Sequence, residues 1–130
     1  MLRKILAFCL FFNISFGYSY FDNLKESFIN MSDVEASEFI CKNYPYVVMA
    51  SGRSYLKGSI CYVDYSLYDD KKLAEAENVL NYKFCNYDEL KAFLHSKGSL
   101  EVKFYGSNKN LLKTIRYNKV SRIPCSLIKF

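Results

Sequence analysis

Past the first twenty residues, apolar positions recur at two spacings, and the change from one to the other marks out the elements. Phe21, Leu24 and Phe28 stand at i, i+3 and i+7, which lines one face of a helix. A helix is therefore expected from about residue 21. Ser32-Asp33-Val34-Glu35 fits a capping box, in which the Ser32 hydroxyl bonds an orphan amide while Glu35 reaches back. The second helix it opens should run to about Lys42. Asn43-Tyr44-Pro45 stops that helix, because a residue before proline is pushed out of the helical region.

Residues 46–50 are rich in β-branched and aromatic side chains and read as a strand ended by Ser51-Gly52. Residues 59–68 read as a longer one. In it Cys61, Val63, Tyr65 and Leu67 share one face, expected to be the core side, with Ile60, Tyr62, Asp64, Ser66 and Tyr68 on the other. Asp69 or Asp70 then caps a helix whose Leu73, Ala76, Val79 and Leu80 form one stripe. Asn86-Tyr87-Asp88-Glu89 suggests a further capping box, followed by Leu90, Phe93 and Leu94 at helical spacing and Gly98 as C-terminal cap. Period-two alternation returns over residues 100–104, Gly106-Ser107-Asn108 offers turn chemistry, and residues 111–117 and 120–129 read as two more strands. The expected class is α+β: early and central helices with a small antiparallel sheet that includes a C-terminal three-stranded meander.

The N-terminus changes the picture. Arg3 and Lys4, the apolar run from Ile5 to Phe12 and the small residues Ser15 and Gly17 together read as a signal peptide over residues 1–17, with cleavage near residues 17 to 19. The run is short for a membrane span, which needs roughly 20 apolar residues. Residues 18–130 then form a single exported globular domain, periplasmic or secreted, with no stable membrane span once the leader is gone. Cys9 leaves with the leader and Cys41, Cys61, Cys85 and Cys125 remain. An even number of cysteines in an exported domain implies two disulfides, with three possible pairings. Cys41–Cys61 and Cys85–Cys125 are preferred, since each joins adjacent elements and leaves no entangled loop. A metal site lacks the close spacing of zinc ligands, so neither metal nor cofactor is expected.

The whole chain has 18 Lys and Arg against 13 Asp and Glu. No acid follows Glu101, whereas Lys103, Lys109, Lys113, Arg116, Lys119, Arg122 and Lys129 do. This basic C-terminal third can face an anionic partner or be a solvated surface. With 12 Tyr and 11 Phe the chain is rich in aromatics. Such side chains can mark binding surfaces, although AT-rich codon usage accounts for them equally well. Phosphate-loop, dinucleotide-binding and RNA-binding signatures are absent, so nucleic acid is not the expected partner.

Chemistry has few footholds. His95 is the sole histidine, so a hydrolytic arrangement would have to use it, yet no nucleophile motif accompanies it. Cys85 precedes a helix start that could make a thiol reactive, but half of a disulfide is the simpler reading. Asp69-Asp70 and Asp88-Glu89 stand at expected helix starts, where acids stabilise exposed amides. The string Ser51-Gly52-Arg53-Ser54-Tyr55 resembles the S-G-x-x-Y motif of the periplasmic C-type lysozyme inhibitors, whose motif loop enters the lysozyme cleft. The resemblance covers these residues only. The family's downstream Y-x-x-x-T-K-G element is missing apart from Lys57-Gly58, and a β-barrel family does not match a chain with several helices. What the resemblance implies is a loop between two strands presenting Arg53 and Tyr55.

The sequence thus points to a small disulfide-stabilised binding protein, inhibitor-like or accessory, for a protein or anionic envelope partner. Arg53, Tyr55, Lys103, Lys113 and Arg116 are the candidate contact residues, and none is assigned to catalysis. The rival readings are a small secreted hydrolase or thiol enzyme using His95, and a structural component of an envelope or secretion assembly.

Overall fold

Residues 20–128 are described by a computed structural model of the chain. The expected leader, with Cys9, and the last two residues lie outside them. Two helices come first, α1 (Tyr20–Ile29) and α2 (Asp33–Lys42), followed by the hairpin of β1 (Ala50–Lys57) and β2 (Ile60–Leu67). A 3₁₀ turn (Asp70–Lys72) leads into α3 (Leu73–Asn86) and the short α4 (Asp88–Phe93). A second hairpin, β3 (Ser99–Tyr105) and β4 (Leu111–Tyr117), completes the sheet, and a 3₁₀ turn at Cys125–Leu127 lies in the tail. The fold is α+β.

Local chemistry accounts for most of these boundaries. The capping box forms as its spacing implies: the Glu35 amide donates to Ser32 Oγ at 3.1 Å, and the Ser32 amide donates to Glu35 Oε1 at 3.1 Å. The Ser32 amide, and after it the Ser32 hydroxyl, hold the Glu35 carboxyl below its usual range. Gly58, at φ 64°, takes the first central position of the two-residue turn between β1 and β2, the place a type II′ hairpin gives to glycine. Asp69 caps the 3₁₀ turn by accepting the Lys71 amide at 3.0 Å. The Asp70 carboxylate reaches instead to the second hairpin, accepting the Ser107 amide at 2.6 Å. Gly106 leaves room for it, since a Cβ there would lie 2.7 Å from the same carboxylate.

The sheet has the order β1-β2-β3-β4, and its two hairpins are antiparallel. They meet in a parallel β2–β3 pair, so the sheet is mixed rather than antiparallel throughout. Parallel neighbours need a long crossover, and α3 with α4 supplies it. Cys61, Val63, Tyr65 and Leu67 of β2 and Leu100, Val102 and Phe104 of β3 are buried on one face. Against them pack Ala36 and Ile40 of α2, Ala76, Leu80 and Phe84 of α3, and Leu90 and Phe93 of α4. Tyr65 stacks on Phe104 at 5.4 Å and Phe84 on Tyr117 at 4.2 Å between ring centroids. The buried Ser37 of α2 ties this layer to the sheet, donating to the Ser59 carbonyl at 2.7 Å and accepting the Ser99 amide at 3.0 Å.

Both disulfides take the preferred pairing. Cys41–Cys61 fastens α2 to β2, and Cys85–Cys125 fastens the tail to α3.

Several expectations are corrected. Residues 46–49 form no strand, because their neighbourhood is bonded by side chains: the Tyr65 hydroxyl donates to the Pro45 carbonyl at 2.5 Å and Lys83 Nζ donates to the Tyr46 carbonyl. The strand lies one segment later, and Ser51-Gly52, read as its end, sits inside it. The third strand of the expected meander is also missing, since residues 118–124 run as turn and coil into the 3₁₀ turn. Pro124 lacks a ladder donor, and the Cys125 bond draws the segment onto α3 instead. Asn86 does not cap α4; its amide bonds back to the Tyr82 carbonyl at 2.9 Å. Gly98 is no helix cap either, because α4 ends at Phe93. Gly98 is glycine for space: a Cβ would stand 2.7 Å from the Phe93 ring and 2.9 Å from the Ala36 methyl.

Candidate functional site

Side chains alternate across a strand, so the residues that do not face the core define a second face by register alone. Tyr55, Tyr62, Glu101 and Arg116 lie side by side across β1, β2, β3 and β4. Arg53, Asp64, Lys103 and Thr114 form the adjoining row. Ser51, Ser66 and Tyr105 extend it on one side, and Lys57, Ile60 and Ser99 on the other. Helices α2, α3 and α4 and the tail all pack on the opposite face, and no described element covers this one.

Four of the five candidate contact residues therefore meet on one uncovered surface: Arg53, Tyr55, Lys103 and Arg116. Lys113 is the exception. It pairs with Phe104 in register, on the core side of β4, and its Nζ contacts Glu77 Oε2 of α3 at 2.7 Å. That ion pair holds β4 to the helical layer, so Lys113 is removed from the candidate surface.

The surface is organised internally. The Tyr55 and Tyr62 rings stack at 5.2 Å with planes 12° apart, and Lys103 Nζ stands 5.9 Å from the Tyr62 ring centroid. Arg116 bonds Glu101 Oε1 at 2.7 Å. Arg53, Lys57 and Lys103 have no acid within ion-pair distance among the described residues. Asp64 sits between Arg53 and Lys103 in register, and its buried Oδ1 has no hydrogen-bond partner. The result is a stacked aromatic pair flanked by cations without acidic partners among the described residues, with one unsatisfied acceptor at its centre. Alternation alone puts Tyr62 and Asp64 on the non-core face without singling them out, and the register that sets Asp64 beside Lys103 joins strands about 40 residues apart in the chain.

The motif Ser51-Gly52-Arg53-Ser54-Tyr55 lies within β1 and is not a loop. Gly52 faces the helical side, where the Tyr44 hydroxyl donates to its carbonyl at 2.9 Å and a Cβ would stand 2.8 Å from the Tyr44 ring. Arg53 and Tyr55 are exposed, but as members of a sheet face.

The candidates for catalysis are placed differently. Cys85 is disulfide-bonded and has no free thiol. His95 packs edge-on to Phe21 at 6.0 Å, beside α1. Burial and the neighbouring Lys25 charge hold its pKa below the usual histidine value. Among the described residues its ring has no hydrogen-bonded carboxylate or nucleophile, and no three His, Cys, Asp or Glu side chains gather to hold a metal ion. No helix of the described residues is long and apolar enough to cross a membrane. No family model matches the chain, and neither does any curated protein or solved structure.

Proposed function

We propose that the chain is an exported binding protein whose uncovered sheet face is its contact surface, and that its partner is a protein or an anionic component of the cell envelope. One observation carries this reading: Arg53, Tyr55, Lys103 and Arg116, drawn from β1, β3 and β4, lie together around the Tyr55–Tyr62 stack with no described element over them. Tyrosine and arginine are among the side chains enriched where proteins meet. Cations without acidic partners add long-range attraction for a negatively charged surface. The two disulfides suit an oxidising destination.

The test is position-specific photocrosslinking in a cell that exports the protein. A photoreactive side chain at Tyr55 is expected to capture a discrete adduct, and one at the exposed Glu75 on α3 is not. Joint Arg53→Glu and Lys103→Glu replacement should cut adduct yield by roughly tenfold or more, the equivalent of about 1.4 kcal/mol. Equal capture from the two positions, or capture insensitive to the double reversal, would reject the sheet face as the contact surface.

A further inference from the structure

On the helical side of the molecule, a cleft of about 350 Å³ opens between the end of α2 with the segment after it and the junction of α3 with α4. Its volume is within the range of small-molecule sites, which begin at roughly 300 Å³. Phe39, the buried Leu90 and the three tyrosines Tyr44, Tyr46 and Tyr87 line it. Tyr46 and Tyr87 are 68% and 48% exposed, a large apolar area to leave in water beside a formed cleft.

One cation stands in this aromatic setting. Lys83, in the last turn of α3, holds its Nζ 5.7 Å from the centroids of both the Tyr46 and Tyr87 rings and donates to the Tyr46 carbonyl. An ammonium has three donors, and that carbonyl takes one. No acid pairs with Lys83 among the described residues, although Glu89 also lines the cleft. Partial burial lowers the Lys83 pKa, as expected of a cation short of counter-charge. A lysine whose work was only to fasten the 43–46 segment to α3 would not need open aromatic walls around it.

We infer that this cleft binds a monocarboxylate on an apolar body, with the carboxylate on Lys83 and the body between the tyrosine rings. Glu89 sets the charge limit, since a second negative group on the ligand would meet it. Two sources share this chemistry, a free amphiphilic acid and the terminal residue of a peptide. The site is separate from the sheet face and does not depend on its role.

The experiment is an NMR titration of the intact, oxidised protein with 3-phenylpropionate, its neutral amide 3-phenylpropanamide, phenylsuccinate and N-acetylphenylalanine. The expected result is saturable shifts at Tyr46, Lys83 and Tyr87, with the amide and the dianion each at least about tenfold weaker than the monoacid. Lys83→Met should erase the preference for acid over amide while leaving the sheet resonances in place. Should that variant unfold, Tyr87→Leu, at an exposed position, is expected to weaken acid and amide alike. Tighter binding of N-acetylphenylalanine than of 3-phenylpropionate would mark a peptide terminus as the source, and the reverse order a free acid. Equal affinity for acid and amide, shifts confined to other regions, or no saturable change up to about 10 mM would overturn the assignment.

Discussion

The buried Ser37 hydroxyl makes hydrogen bonds that no apolar side chain can supply. It bonds the Ser59 carbonyl, next to the start of β2, and the Ser99 amide at the start of β3, so one buried oxygen sets the height of α2 over the central strand pair. Ser37→Ala keeps the volume nearly unchanged and removes both bonds. The expected loss is about 1–3 kcal/mol, the cost of leaving buried polar groups unpaired. It is read as a lower urea midpoint at unchanged slope. A wild-type midpoint would show that water replaces the hydroxyl without cost. The same scale explains the outcome at the candidate surface. Lys113 and Arg116 are an odd number of positions apart in one strand, so they cannot share a face, and the sequence already contains that parity. Arg53 and Tyr55, two positions apart in one strand, were legible as a pair, but their adjacency to Lys103 was not, because it depends on the register between β2 and β3, which are distant in the chain.

Elements with their own chemical signature were legible, and those set by tertiary contacts were not. The Ser32 box, the alternation of β2 and the Gly106 turn are local patterns, and each appears where its residues place it. Strand β1, ASGRSYLK, has no β-branched residue and a glycine near its start, so propensity argues against it. It forms because the Gly58 turn folds it back along β2. The reverse holds for residues 46–49, whose strand-like composition yields to Tyr65 and Lys83 bonding the carbonyls of Pro45 and Tyr46. The tail is the other element set from a distance, through Cys85–Cys125. Replacing both cysteines by serine removes a constraint across 40 residues, worth about 4 kcal/mol in the chain-entropy model. Because the tail adds few buried side chains, hydrogen exchange should quicken most in residues 118–128, while amides of β2 and β3 lose no more than the roughly thousandfold protection that the global share implies. Uniform loss of protection would mean that the tail holds the whole domain together.

For the whole molecule, two phenols buried in the core give the pH profile its alkaline limit. Burial pushes Tyr65 and Tyr117 well above the ordinary tyrosine value of about 10, with Tyr44 and Tyr117 adding to the shift of Tyr65 and Glu77 to that of Tyr117. The native state therefore keeps both protons where the unfolded chain loses them. Their contribution is intact below about pH 10 and is lost as pH rises above it, at about 1.4 kcal/mol per unit for each phenol. Urea unfolding at stepped pH should show this slope beginning near pH 10, with tyrosinate absorbance from these two rings appearing together with unfolding. Stability that is flat to about pH 11 would mean that the phenols ionise within the native fold. The disulfides bear on the history of the molecule as well as on its stability. Cys41 pairs with Cys61 and Cys85 with Cys125, so each bond joins consecutive cysteines of the folded region and neither spans the other. When such a chain is delivered N-terminus first to an oxidant, the first partners are both present before the third cysteine arrives. Pairing by order of arrival then gives the native bonds, and the slow reshuffling that interleaved disulfides require has no step to perform.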